Sequence, residues 1–313
     1  MTGMELSKAF YDTYGKPVLE TEFADVMPYL AAGLFGSGSE CFGYDDQVSR
    51  DHDFEPGFCL LLPGEELIDR KRAFQLERAY AKLPKEFMGF ERARILPVGG
   101  ARHGVLRIAD VIREKTGTKD GCLSALQWLQ VPEESLAEAV NGEIFYDGYG
   151  EVTRIRRNLS YYPEDIRLKK LAGALLLMAQ AGQYNYQRCL LHGEQAAAQL
   201  AVCEFVKAAM HTVFLLNRRY QPYYKWSFRA MRALPRLPLL AELFEYLLTT
   251  DNEEESSQEK YNVMEGIAQD VIDELMEQGL TGAICQDLEK HAYSVNDHVQ
   301  DAQVRNLHIL AGV

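Results

Sequence analysis

In the first half of the chain the apolar residues gather in short runs. Leu30 to Phe35, Phe58 to Leu62, Val105 to Ile108 and Glu143 to Tyr146 each predict a strand. Between them, Pro63-Gly64 followed by Glu65 and Glu66 predicts a helix from Glu65 to about Leu83, because acidic side chains suit the positive end of the helix dipole. Pro132 with Glu133 and Glu134 behind it, and Asn141-Gly142 beyond, predicts a short helix ending at Val140. After about Tyr162 the period changes to three and four. Pro163-Glu164-Asp165 opens a segment running to about Leu176, and Leu200, Cys203, Val206, Met210, Val213 and Phe214 form an apolar stripe along Gln195 to Leu216. Pro222, Pro235 and Pro238 punctuate shorter helices. Asp251 to Lys260 reads as a polar connection before a helix from about Tyr261 to Gln278.

This change of texture predicts an α+β fold, with a small mixed-sheet α/β domain over residues 1–160 and an all-α helical bundle over 161–313. With 47% hydrophobic and 25% charged residues in 313, the chain has the composition of a packed globular protein. No apolar run is long enough and free enough of polar residues to predict a membrane span, and Met1 to Phe10, with Glu5 and Lys8, lacks the pattern of a secretory signal. The expected location is the cytoplasm. The six cysteines form no Cys-x-x-Cys pair, which fits small buried residues in a reducing compartment better than a zinc site or disulfide framework.

A net charge of −13 argues against nucleic acid as a general partner, and with no span expected a membrane is not expected as one either. Charge is uneven, however. Between Glu204 and Glu242 there is no acid, while Lys207, Arg218, Arg219, Lys225, Arg229, Arg232 and Arg236 lie in that interval. Such an island either attracts a phosphate-bearing ligand or pairs with acids elsewhere in the fold. Within it, Asn217 to Trp226 gathers two arginines, three tyrosines, a lysine and a tryptophan around Pro222. Arg219, Tyr224 and Lys225 are its candidate nucleotide-binding residues, since aromatic faces stack on bases and cations meet phosphates. The alternative is an aromatic hinge between helices.

The chemistry is concentrated in Leu34-Phe35-Gly36-Ser37-Gly38-Ser39-Glu40-Cys41-Phe42-Gly43 and Ser49-Arg50-Asp51-His52-Asp53-Phe54. An apolar strand enters a turn of glycines and serines, where backbone N–H groups can approach phosphate oxygens. Further on, Asp51 and Asp53 would project from one face of an extended chain, as a pair of carboxylates able to hold Mg²⁺.

Turn and Asp-x-Asp together resemble the signature of the DNA polymerase β-like nucleotidyltransferase superfamily. The turn has two registers, Gly36-Ser37 and Gly38-Ser39, and both stay open. Gly38-Ser39-Glu40, Gly43-Tyr44-Asp45, Ser49 to Asp53, Gly142 to Asp147, Tyr162-Pro163-Glu164-Asp165 and Asn217 to Trp226 are similar to DUF4037, a bacterial family of unknown function assigned to that superfamily by fold. The layout also resembles kanamycin-type aminoglycoside nucleotidyltransferases. The resemblance implies transfer of a nucleoside monophosphate from a nucleoside triphosphate, ATP among them, to an unidentified small-molecule or protein acceptor. Asp51 and Asp53 would be catalytic and hold Mg²⁺, and Gly36, Ser37, Gly38 and Ser39 would bind the nucleotide. The superfamily's third carboxylate has no clear counterpart here. Arg107 stands on the candidate strand where an acid is wanted, leaving Asp147, expected as catalytic and able to serve as general base, and Asp110 behind it. A catalytically weak nucleotide-binding sensor and a protein-interaction module of toxin–antitoxin type are the alternatives.

Overall fold

A computed structural model of the chain describes residues 1–48, 54–92 and 103–313, in two compact units: residues 1–123 with 131–160, and residues 124–130 with 161–313. The fold is α+β, with the mixed sheet confined to the first unit.

The first unit opens on a helix that the apolar pattern did not announce. Helix α1 (Gly3–Phe10) starts at a capping box, in which the Thr2 hydroxyl accepts from the Glu5 backbone and Glu5 reaches back to the Thr2 N–H. It passes through a π-turn over Tyr11–Gly15 into α2 (Lys16–Glu22). Strand β1 (Ala31–Leu34), the one-turn helix α3 (Ser39–Phe42), β2 (Cys59–Leu62) and α4 (Arg70–Lys82) follow. Then come the short hairpin of β3 (Glu86–Phe87) and β4 (Phe90–Glu91), β5 (Gly104–Arg107) and α5 (Ile108–Thr116). The unit resumes after α6 (Ala125–Gln130), which belongs to the second unit, with α7 (Glu133–Val140), β6 (Glu143–Asp147) and α8 (Glu151–Asn158). Helix α4 begins five residues later than the acids at 65 and 66 predict. Asp69 accepts from the Arg72 N–H at 2.7 Å and so caps the helix there, while Gly64 to Ile68 form a turn.

The sheet order is β5-β2-β1-β6, with β1 antiparallel to both neighbours and β2 parallel to β5. Leu30, Ala32, Phe58, Leu60 and Leu62 pack on Phe10, Tyr11, Leu19 and Phe23 of the N-terminal helices and on Leu76 and Tyr80 of α4. The alternate residues Ala31, Cys59 and Leu61 are buried as well. Burial on both faces is why β1 and β2 read as unbroken apolar runs.

The second unit is helical. Its core helix α9 (Glu164–Met178) continues through a π-helical stretch, Ala179–Asn185, into α10 (Tyr186–Leu191), and packs against α11 (Gln195–Leu216). Among the described residues α11 alone has the length and hydropathy of a membrane span, yet 67% of its most apolar stretch is buried within the protein. Then follow α12 (Tyr224–Met231), α13 (Leu240–Thr249), α14 (Glu254–Glu277), α15 (Leu288–Asp297) and α16 (Ala302–Arg305). Helix α14 takes in most of the expected polar connection, because Glu254 and Glu255 suit a helix first turn and Lys260 is buried. The Lys260 ammonium donates to Gln199 Oε1, the Thr250 carbonyl and Asn252 Oδ1, each at 2.9 Å. Lys169 likewise spends three donors on Asn296 Oδ1 and the carbonyls of Arg305 and Leu307. Burial lowers both lysines from their ordinary pKa, and full hydrogen bonding is what makes a buried ammonium tolerable.

The segment Tyr162-Pro163-Glu164-Asp165 is accounted for residue by residue. Tyr162 stacks edge-on against Trp128 and Tyr220, Pro163 caps α9, and Asp165 accepts the backbone N–H groups of Gln300 and Asp301. Glu164 is clamped by Arg167 at 2.6 Å and Arg218 at 2.8 Å. Burial alone would raise its carboxyl, but the two guanidinium groups outweigh that and hold it below its ordinary value. A depressed acid stabilises the fold above its unfolded pKa and loses that contribution as pH falls through the folded one. Glu164→Gln is therefore expected to lower stability at neutral pH and to flatten the loss between about pH 5 and 3. Urea unfolding across that range measures it, and parallel curves for the two proteins would contradict the clamp.

Candidate functional site

Strand β1 leaves the sheet at Leu34 and turns through Phe35-Gly36-Ser37-Gly38 into α3. Gly36 is buried at φ +123°, a conformation that L residues rarely adopt, so its glycine is required by the backbone. Its N–H donates to Asn141 Oδ1 at 2.9 Å and its carbonyl accepts from Asn141 Nδ2 at 2.7 Å. Ser37 is exposed, Gly38 is buried and Ser39 is half-buried.

The sheet register sets what lies beside this turn. Gly33 of β1 faces Cys59 of β2, and Leu34 faces Glu143 of β6. The chain entering β2 therefore comes from the turn's end of the sheet. That entry is held firmly. Ser7 Oγ donates to the Gly57 carbonyl at 2.5 Å, Tyr80 Oη accepts from the Phe58 N–H and donates to its carbonyl, and that carbonyl also accepts from the Gly104 N–H. Asp51 and Asp53 themselves, with His52, lie outside the described residues. Two residues on, Glu55 is paired with His103 Nδ1 at 3.0 Å, both side chains largely buried. Sequence reasoning passed over this pair, although Asp51, Asp53 and Glu55 continue a single two-residue alternation.

Asp147 and Asp110, the candidates for the third acid, stand at the end of the sheet away from the turn. Asp147 faces Ala31, at the opposite end of β1, so a strand rise of about 3.3 Å per residue puts it roughly 10 Å or more from the turn. Its two oxygens accept the N–H groups of Gly150 and Thr153, which ties the carboxylate to the turn before α8. Asp110 follows β5 at that same far end, where Arg107 faces Leu62 and donates to the Pro63 carbonyl at 2.6 Å. The acid that β6 does bring to the turn's end is Glu143, and it is ion-paired with Lys8. Among the described residues no three His, Cys, Asp or Glu side chains converge to hold a metal ion.

The basic segment of the second unit divides in two. Lys207 pairs with Glu204, Arg218 with Glu164, Arg232 with Glu245, and Arg236 with Glu274 and Glu277. Arg218, at φ +52°, is the left-handed residue that ends α11, with the N–H of Arg219 reaching the Phe214 carbonyl. Tyr220 is core, against Tyr161 and Tyr162. For these residues the reading as hinge and ion pairs holds. Arg219 and Lys225 are exposed and have no acidic partner among the described residues. Lys225 lies 4.9 Å from the Trp226 ring, and Tyr224, 74% exposed, packs on Tyr223.

Gly36→Ala is expected to cost about 1–3 kcal/mol of stability through its positive φ. Ser37→Ala, at an exposed position, should stay within about 0.5 kcal/mol of wild type. Equal urea midpoints for all three proteins would contradict the described turn.

Residues 128–227 match the model of a family described as Domain of unknown function (DUF4037). The matched stretch contains Asn141 to Asp147, Tyr162 to Asp165 and Asn217 to Trp226; Gly36 to Ser39, Asp51 and Asp53 lie outside it. No curated protein sequence matches the chain. Among solved structures, a nucleotidyltransferase-like protein from Exiguobacterium sibiricum 255-15 is 12% identical, with 88% of this chain and 77% of that one covered and a TM-score of 0.40. Over residues 128–227, then, the similarity first carried by short motifs is a similarity to the DUF4037 domain as such.

Proposed function

We propose that the protein is a Mg²⁺-dependent nucleotidyltransferase, moving a nucleoside monophosphate from a nucleoside triphosphate to an acceptor hydroxyl. The observation that carries this reading is the register of the sheet. The glycine-serine turn leaves β1 at the end from which the chain carrying Asp51 and Asp53 enters β2. Hard carboxylate oxygens suit Mg²⁺, which takes its remaining ligands from phosphate and water. Asp51 and Asp53 would hold the ion, and it would supply neutralisation of triphosphate charge. The turn would orient the triphosphate by backbone N–H groups, and the acceptor oxygen would attack the α-phosphorus as pyrophosphate leaves. Arg219, Tyr224 and Lys225 would contribute cations and a stacking face. Asp147 has no part in this proposal.

A second reading, a nucleotide-binding sensor with little turnover, is favoured by the acids described at the turn's end. Glu55 is engaged by His103 and Glu143 by Lys8, and neither offers an unpaired third carboxylate. Turnover separates the readings, since both require Mg²⁺-dependent binding.

Asp51→Asn and Asp53→Asn are expected to abolish Mg²⁺-dependent triphosphate binding, by calorimetric titration, while leaving thermal unfolding intact; unchanged affinity in both would remove the reading. Arg219→Ala and Lys225→Ala should weaken triphosphate but not nucleoside binding, and with a shallower salt dependence, because screening acts on the charge they supply. Equal proportional losses for nucleoside and triphosphate would make the segment a packing element only.

A further inference from the structure

The tie between Gly36 and Asn141 links residues 105 apart in the chain and uses every polar atom it involves. Gly36 gives its N–H and its carbonyl, and Asn141 gives its carbonyl oxygen and its amide nitrogen. Two opposed hydrogen bonds of this kind are what an antiparallel neighbour supplies. Past the last backbone rung, Leu34 opposite Glu143, the Asn141 side chain thus adds one more.

Asn141 is itself held from three sides. Its N–H donates to the Ala137 carbonyl at the end of α7. Next to it, Gly142 adopts φ +65° and donates to the Cys41 carbonyl; a Cβ there would run into the Leu34 carbonyl oxygen, so only glycine lets the two segments approach. From α8 the Arg156 guanidinium donates to the carbonyls of Val140, at 2.6 Å, and Asn141, with its centre 5.5 Å from the Phe35 ring. Arg156 therefore binds the backbone on which Asn141 stands and covers the residue before Gly36.

One consequence bears on the ligand. With its N–H committed to Asn141, Gly36 has no donor left for a phosphate. The N–H groups of Ser37, Gly38 and Ser39 have no acceptor among the described residues. We propose that Asn141, held by Arg156, is the positioning residue of the phosphate turn: it fixes Gly36 so that the next three backbone N–H groups face the triphosphate. This rests on the nucleotidyltransferase reading and selects the Gly38-Ser39 register of the turn over the Gly36-Ser37 one.

The test compares wild type, Asn141→Ala, Arg156→Met and Arg156→Lys, by calorimetry with ATP and Mg²⁺ and, separately, with adenosine. Losing one or two hydrogen bonds behind the turn should weaken ATP binding roughly three- to tenfold. Adenosine binding should be unchanged, and Arg156→Lys should recover part of the loss seen in Arg156→Met. A purely structural role would lower both affinities together, and that result, or full retention of ATP affinity by Asn141→Ala, overturns the assignment while leaving the functional reading standing. No binding of ATP by wild type would overturn both. Should Asn141→Ala fail to fold, amide hydrogen exchange on wild type decides. The Gly36 N–H is expected to be protected before ATP and Mg²⁺ are added, and those of Ser37, Gly38 and Ser39 only afterwards; protection of Gly36 that appears only with ATP refutes the proposal.

Discussion

Strand β1 is four residues long and buried on both faces, so none of its backbone polar groups can turn to water. Each must be met by a neighbouring chain, and an unmet one would cost as much as a lost hydrogen bond. Both neighbours satisfy this constraint by running antiparallel to it. An antiparallel neighbour begins where its partner ends. The exit of β1 is therefore placed among the entry to β2 on one side and the entry to β6 on the other, and the glycine-serine turn, Gly57 and Phe58, and Asn141 to Glu143 become neighbours. Where the backbone ladder runs out at Gly36, a side-chain amide continues it, and glycines at 36 and 142 accept the backbone conformations this closeness demands.

The second unit meets a different constraint. Helix α9 is buried along nearly its whole length while carrying Arg167, Lys169 and Lys170. Cations removed from water must be hydrogen-bonded in full, and partners come from distant stretches of chain: the Arg305 and Leu307 carbonyls for Lys169, the Leu129 and Gly312 carbonyls for Lys170, and the Leu215 carbonyl for Arg167, which Glu164 of the same helix also pairs. These cations tie α6, α11 and the C-terminal segments to one helix. The Tyr162 to Asp165 segment and the Asn217 to Tyr220 segment, far apart in sequence, meet through Glu164 with Arg218 and through the rings of Tyr162 and Tyr220. Much of what the DUF4037-like motifs encode is thus packing of a helical unit.

The same distinction governs the charged residues near the turn. Glu143 is paired with Lys8 and Glu55 with His103, and most cations of the acid-free interval have an acidic partner at hand. A paired charge is already stabilised and gives up that stabilisation to serve a ligand, whereas an exposed cation such as Arg219 or Lys225 gives up only hydration. The proposed chemistry accordingly rests on backbone N–H groups and on the Asp51 and Asp53 carboxylates more than on the acids described around the turn.

The sequence by itself determined what is local. Short apolar runs placed the four sheet strands within a residue or two, the period of three to four placed α9 and α11, and the glycines marked the turn, because each follows from the geometry of neighbouring residues. It misplaced the start of α4, where one capping carboxylate outweighed the acids before it, and the start of α14, where burial of Lys260 turned an apparent linker into helix. Only the tertiary structure decided which end of the sheet each acid occupies. Asp147 and Glu143 stand on the same strand, four residues apart, and the antiparallel register with β1 alone sends one away from the turn and brings the other to it. It also decided that Asn141, an ordinary residue after a helix, meets Gly36, since no local pattern records a hydrogen bond formed across 105 residues of chain.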